Sequence, residues 1–181
     1  MAGNVFEGTG TFKREQHITM IDLGFESIDA NGIVYGQDHT QDWYAVGEDN
    51  DELTRERNDE LESTKNVLGK TSISQTPGAQ TTEVDPHKLR ANDKLSYLLY
   101  MINKYDLTED KAKVYGMEVT YADKHSEGVY GAWREGAVIQ LNSWGGDTTA
   151  IGTPFVLNWD GNKEHGTFST TDKTFTPTTE V

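Results

Sequence analysis

Val114-Tyr115-Gly116-Met117-Glu118-Val119-Thr120-Tyr121 decides the fold class. The run is rich in β-branched and aromatic residues, which suit a pleated, half-buried backbone. Val129 to Trp133 and Ala137 to Trp144 have the same character, with Gly136 near the break between them. Gly145-Gly146-Asp147 then reads as a turn. Pro154 to Trp159 and Gly166 to Thr170 flank Asp160-Gly161-Asn162, a hairpin signal. The C-terminal part is therefore expected to be an antiparallel sheet.

Immediately upstream lies one helical stripe. Leu95, Leu98, Leu99 and Ile102 fall at i, i+3, i+4 and i+7. The spacing predicts a helix over 92–105, capped by Asn92, with Asp93 in its first turn and Lys104 near its C-terminal end. Lys94, Ser96 and Asn103 lie on the other face, so the stripe should cover one face of the sheet. Further upstream, Ile18 to Leu23, Ile33-Val34-Tyr35 after the Asn31-Gly32 turn, and Trp43 to Gly47 read as short strands. Asn66 to Lys70 reads as a strand end and turn. Thr71 to Gln75 and Gln80 to Val84 read as strands joined by Pro77-Gly78, polar on both faces. The chain is thus expected to be one domain over 1–181, mainly β with one α-helix, an antiparallel β-sandwich or partial barrel. Residues 1–14 read as a flexible N-terminal arm and 172–181 as a C-terminal tail.

Between Trp43 and Asn66 lies the most charged stretch. Glu48, Asp49, Asp51, Glu52, Glu56, Asp59, Glu60 and Glu62 face only Arg55 and Arg57, and only Leu53 and Leu61 are apolar. That composition predicts a long acidic loop over 48–64, longer than an ordinary connection.

Asp and Glu total 30 against 16 Lys and Arg, a net charge of −14 in 181 residues. Such a field repels nucleic acid and excludes a protein that grips phosphate. Residues 1–90 carry 17 acids and 8 bases, a net −9, and 91–181 carry 13 and 8, a net −5. The excess thus centres on the acidic stretch. There is no cysteine, which removes disulfides, thiolate metal sites and Cys nucleophiles. No apolar run reaches the ~20 residues of a membrane helix, and Met1 to Phe12 does not read as a signal peptide. A hydrophobic content of 34% and a mean hydropathy of −0.69 point to a chain that completes its core with partners.

Motifs for chemistry are missing. His17, His39, His87, His125 and His165 form no ligand pair of the H-E-x-x-H type. Counted as a calcium loop from Asp49, position 5 is Leu53 and position 6 is Thr54, so that pattern fails. Neither a nucleophile elbow nor a nucleotide-binding loop occurs. No catalytic residue, metal site or cofactor is expected. Trp133, Trp144 and Trp159 admit one rival reading, a carbohydrate-binding β-sandwich module. Filling of a β core is the plainer role for them.

The order of segments from Trp43 to about Asp123 resembles the major tail proteins, or tail tube proteins, of long-tailed bacteriophages of Gram-positive bacteria. The resemblance rests on Gly47-Glu48-Asp49 with Asp51-Glu52, the acidic stretch, Thr64-Lys65-Asn66-Val67-Leu68-Gly69, the Pro77-Gly78 turn, Asp85-Pro86 and the Leu-rich helix. It implies a non-enzymatic virion protein with a β-sandwich flanked by a helix. Six copies would form a ring, and rings would stack into a tube that conducts DNA without binding it specifically. A tape measure protein and a tail terminator would be further partners. The chain would reside in the host cytoplasm before assembly and in the virion tail tube afterwards. The loop carrying Glu48, Asp49, Asp51, Glu52, Arg55, Arg57, Asp59, Glu60 and Glu62 would reach neighbouring subunits or the next ring.

Overall fold

The computed structural model describes residues 6 and 10–178. Ahead of the helix the strands are β1 (His17–Asp22), β2 (Ser27–Asp29), β3 (Gly32–Val34), β4 (Trp43–Ala45), β5 (Arg55–Glu56), β6 (Glu60–Lys65), β7 (Thr71–Thr76) and β8 (Thr81–Val84). The helix α1 is Lys94–Lys104. After it come β9 (Lys113–Ser126), β10 (Val129–Leu141), β11 (Gly145–Gly146), β12 (Ile151–Gly152), β13 (Phe155–Trp159), β14 (Glu164–Ser169) and β15 (Thr174–Pro177).

One antiparallel sheet in the order β4-β1-β9-β10-β13-β8-β5 forms the body, with β14 and β15 continuing it from β10. The chain is mainly β with one helix, and the sheet curls into a half-barrel. The curl brings β15 back beside the segment entering β4. There the Gln41 side chain donates to the Phe175 carbonyl (3.2 Å) and accepts from the Phe175 N–H (2.7 Å) and from Trp43 Nε1 (2.7 Å).

Alternation along the strands splits the core in two. Ile21, Val114, Ala137, Ile139, Leu157 and Phe155 lie with the helix residues Leu95, Leu98, Leu99 and Ile102, which are all buried as the stripe predicts. Met20, Met117, Val119, Ala132, Phe168 and Phe175 belong to the second cluster. Gly116 is a close-approach position: a Cβ there would fall 2.3 Å from the Trp159 ring.

Several local expectations change. The helix cap is Asp93, not Asn92. Asp93 has an extended backbone and accepts from the Ser96 N–H (2.8 Å) and hydroxyl (2.5 Å), whereas Asn92 stands at φ 59°. Asp93→Ala should therefore lower stability by about 1 kcal/mol, read as a shift in the urea midpoint; an unchanged midpoint would remove the capping role. Val129–Leu141 is one unbroken strand, so Gly136 marks no break.

Asp160-Gly161-Asn162 is not a hairpin turn. β13 and β14 lie end to end on the same side of β10, with Ala137 opposite Trp159 and Arg134 opposite Glu164. The segment between them, with Gly161 at φ 78°, is a bend in a broken strand. Asn31-Gly32 is a true turn, joining β2 and β3.

Pro77-Gly78 does not join a strand pair. β7 pairs with β6 across the Asn66–Lys70 turn, and β8 pairs with β13 and β5. The C-terminal tail expected over 172–181 contains strand β15, whose Phe175 is buried at 3% exposure; residues 179–181 lie outside the described residues. Of the expected arm 1–14, residues 1–5 and 7–9 also lie outside them, while Phe6 meets Phe12 edge to face and Arg14 opens a short 3-10 turn.

Candidate functional site

The stretch 48–64 is not one loop. Its first part is docked on the body. The Arg90 guanidinium lies 2.5 Å from Asp49 Oδ1 and 3.6 Å from Glu48 Oε2, and the Lys88 N–H donates to Asp49. Burial pushes the Asp49 carboxyl up, but the Lys88 amide and the Arg90 charge outweigh it and hold the group below its ordinary value. Leu53 is buried, and its carbonyl accepts from Arg14 Nε at 2.9 Å. Asp51 and Glu52 stay exposed, Glu52 accepting from Thr54.

The second part is β5, which forms the outer edge of the sheet beside β8. Its Arg55 reaches inward over the sheet. Nη2 lies 2.7 Å from Glu135 Oε1 on β10, Nη1 lies 4.0 Å from Glu118 Oε1 on β9, and Nε donates to Gln80 Oε1 at 2.7 Å. The guanidinium carbon sits 4.3 Å above the Trp159 ring, a cation–π contact. Glu118 is 1% exposed and Glu135 3%.

These two carboxylates have further partners. Thr19 Oγ1 donates to Glu118 Oε1 at 3.1 Å, His17 Nε2 lies 2.5 Å from Glu118 Oε2, and the Gly161 N–H donates to Glu135 Oε2 at 3.2 Å. The planar guanidinium suits this task, because it offers donors in a fixed fork and stacks on an aromatic face.

The third part is an arm. β6 and β7 form a two-stranded sheet of their own, separate from the body. Every residue of both strands is exposed. Asp59 stands at the root, accepting from Gln75 Nε2 (2.6 Å) and the Gly78 N–H (3.3 Å) and lying 2.9 Å from Arg57 Nη2. The Gly78 amide foremost, with Gln75 and Arg57, holds its carboxyl below the usual range.

Leu61 opposes Gln75 and Ser63 opposes Ile73, so Leu61 and Ile73 share one face. They are 69% and 73% exposed. The opposite face carries Glu60, Glu62 and Thr64 against Thr76, Ser74 and Ser72. The arm is thus amphipathic, not polar on both faces.

The nine loop residues singled out in the sequence therefore separate into a docked group (Glu48, Asp49), an exposed pair (Asp51, Glu52), a half-buried clamp (Arg55) and the arm with its root (Arg57, Asp59, Glu60, Glu62). Glu118 and Glu135 escaped notice. Strand alternation held one clue: Glu118 shares its face with Val114 and Gly116, both buried. The tryptophans are divided in role. Trp159 is core and donates to Thr82 Oγ1 (2.9 Å), Trp133 lies against His17, and Trp144 against Tyr100 of α1. No family model matches the chain, and no curated protein and no solved structure matches it either.

Proposed function

We propose that this chain is a structural subunit of a bacteriophage tail tube, assembling as homohexameric rings that stack around a lumen through which DNA passes. The observation that carries the proposal is the arm. A two-stranded hairpin is at best marginal in water, and this one projects Leu61 and Ile73 into solvent with no body strand beside it among the described residues. Seating it on another subunit would bury those side chains and supply the missing third layer.

The body adds a second reason. β4 and β5 each have one strand partner among the described residues, which leaves edges open to pairing, whereas the free side of β15 is covered at Phe175 by the Gln41 side chain. Such edges are a hazard in a monomer and a joint in an assembly. A closed ring uses two different surfaces head to tail, and stacking uses a further pair. The charge of −14 fits the same role, since a lumen without phosphate contacts lets DNA slide. In this reading the subunit acts without a catalytic centre or cofactor, and a tape measure protein and a tail terminator are its further partners.

Electron microscopy of concentrated protein is the test. Raised salt screens the mutual repulsion of the acidic subunits, so rings or tubes roughly 100 Å across are expected, by the scale of six small domains in a circle. A chain that stays monomeric at every concentration and salt would end the proposal.

A further inference from the structure

We infer that the tip of the arm of one copy seats in the groove at the C-terminal end of α1 of a second copy. The inference rests on the tube reading above and names the surface that receives the arm. The groove has a volume of about 780 Å³ and runs between the end of α1, the segment that follows it and strands β10 and β13. Ile102, Leu107, Val138 and Leu141 give it an apolar lining. Asp106, Glu109 and Asp110 line it as well, and all three are exposed. Among the described residues Asp106 and Glu109 enter no ion pair, and Asp110 acts only at a distance on Lys113.

The tip of the arm is the complement of this groove. Val67 and Leu68 stand at its apex, 102% and 78% exposed. Lys65 and Lys70 flank them, and neither lysine has an ion-pair partner among the described residues. Apolar side chains between two cations thus match an apolar floor beside three acids, and opposed potentials of this kind set register and suppress wrong partners.

The tip is also built in advance. Asn66 Oδ1 accepts from the Leu68 and Lys70 N–H groups, both at 3.0 Å, and the Asn66 N–H donates to the Lys70 carbonyl at 3.0 Å. A turn already ordered loses little freedom on docking. Six residues per strand give the arm a length of about 20 Å at ~3.3 Å per residue, enough to cross a subunit boundary.

The absence of cysteine from the chain makes a crosslinking test clean. A Leu68→Cys chain and a Gln140→Cys chain carry one thiol each, Gln140 being exposed in the groove wall. Mixed under assembling conditions and mildly oxidised, they should give a disulfide-linked dimer of the two different chains. Leu68→Cys mixed with Glu127→Cys, at the far tip of the β9–β10 hairpin, should not.

In parallel, Lys65→Glu/Lys70→Glu and Asp106→Lys/Glu109→Lys should each raise the concentration needed for assembly about tenfold or more, a change of the size expected for losing two ion pairs. Mixing the two charge-reversed chains should bring it back. Rings that form with no Leu68–Gln140 crosslink and no response to charge reversal would overturn the docking and leave the tube reading standing. A crosslink confined to one chain carrying both cysteines would also overturn it, since the groove would then hold its own arm. A wild-type chain that never assembles would remove both.

Discussion

Arg55→Met is expected to destabilise the fold by about 3–5 kcal/mol, the cost of breaking a buried ion pair by removing one partner. The side chain supplies the central positive charge for Glu118 and Glu135, whose side chains are 1% and 0% exposed. Methionine would preserve most of the stacking volume on Trp159 and remove only the charge and its donors. The two carboxylates would then keep His17, Thr19 and the Gly161 amide as partners, too few for a pair of anions in one apolar setting. Urea unfolding followed by tryptophan fluorescence reads the change, and Trp159 beneath Arg55 reports directly on the site. The triple replacement Arg55→Met, Glu118→Leu, Glu135→Met should recover most of the loss, because burying matched charges gains little over burying apolar groups of the same shape. A loss under about 1 kcal/mol for Arg55→Met, the level of an exposed pair, would show that the network does not clamp β5 to the sheet.

Such a clamp matters because of where Arg55 stands. Three residues separate β5 from β6, so the residue that pins the sheet edge also fixes the base from which the arm projects. A functional surface that must meet a neighbour in register needs a rigid root. Here the root is held twice, by Arg55 in the sheet and by Asp59 through Gln75, Gly78 and Arg57. This accounts for two cations standing within a run of eight acids: Arg55 neutralises carboxylates from other strands, and Arg57 neutralises one of the run itself.

How much of this was legible in the sequence depends on whether an element has a buried face. Val114 to Tyr121 and the helix stripe were legible, because burial imposes a period of 2 on a strand and 3.6 on a helix. β6 and β7 were not, because all their side chains are exposed and nothing selects an alternation. Their residues read as loop or as plain polar strand.

Turn signals were legible as bends but not as pairings. Asn31-Gly32 joins two strands that pair, whereas Asp160-Gly161 bends a chain whose two halves both pair with β10. The dipeptide is the same kind of signal in each case, and only the non-local partner decides between them. Glu118 was legible as an anomaly of phase, but its partner Arg55 lies 63 positions away on another strand. No local pattern connects them.

The largest effect on assembly should come from removing the arm. Replacing residues 60–76 by Gly-Gly joins Asp59 to Pro77 across a gap that the pairing of Glu60 with Thr76 already keeps short, about 5 Å between Cα atoms of opposed residues. The hydrogen bonds of the arm run within the hairpin and to Asp59 at its root. Among the described residues, none of its strand residues contributes to either hydrophobic core. The body should therefore lose no more than about 1 kcal/mol, the scale of surface changes outside packed regions, while rings and tubes disappear. Sedimentation separates the outcomes: on the tube reading, a folded, sharply melting monomer is expected in place of the large particles of the full chain. The loop-out also leaves the net charge of the chain unchanged, since the two acids Glu60 and Glu62 leave together with the two bases Lys65 and Lys70. Loss of assembly then cannot be assigned to altered repulsion between subunits. Rings that persist without residues 60–76 would place the inter-subunit contact on the open strand edges β4 and β5 instead, and the arm would need a different explanation for holding Leu61 and Ile73 in water.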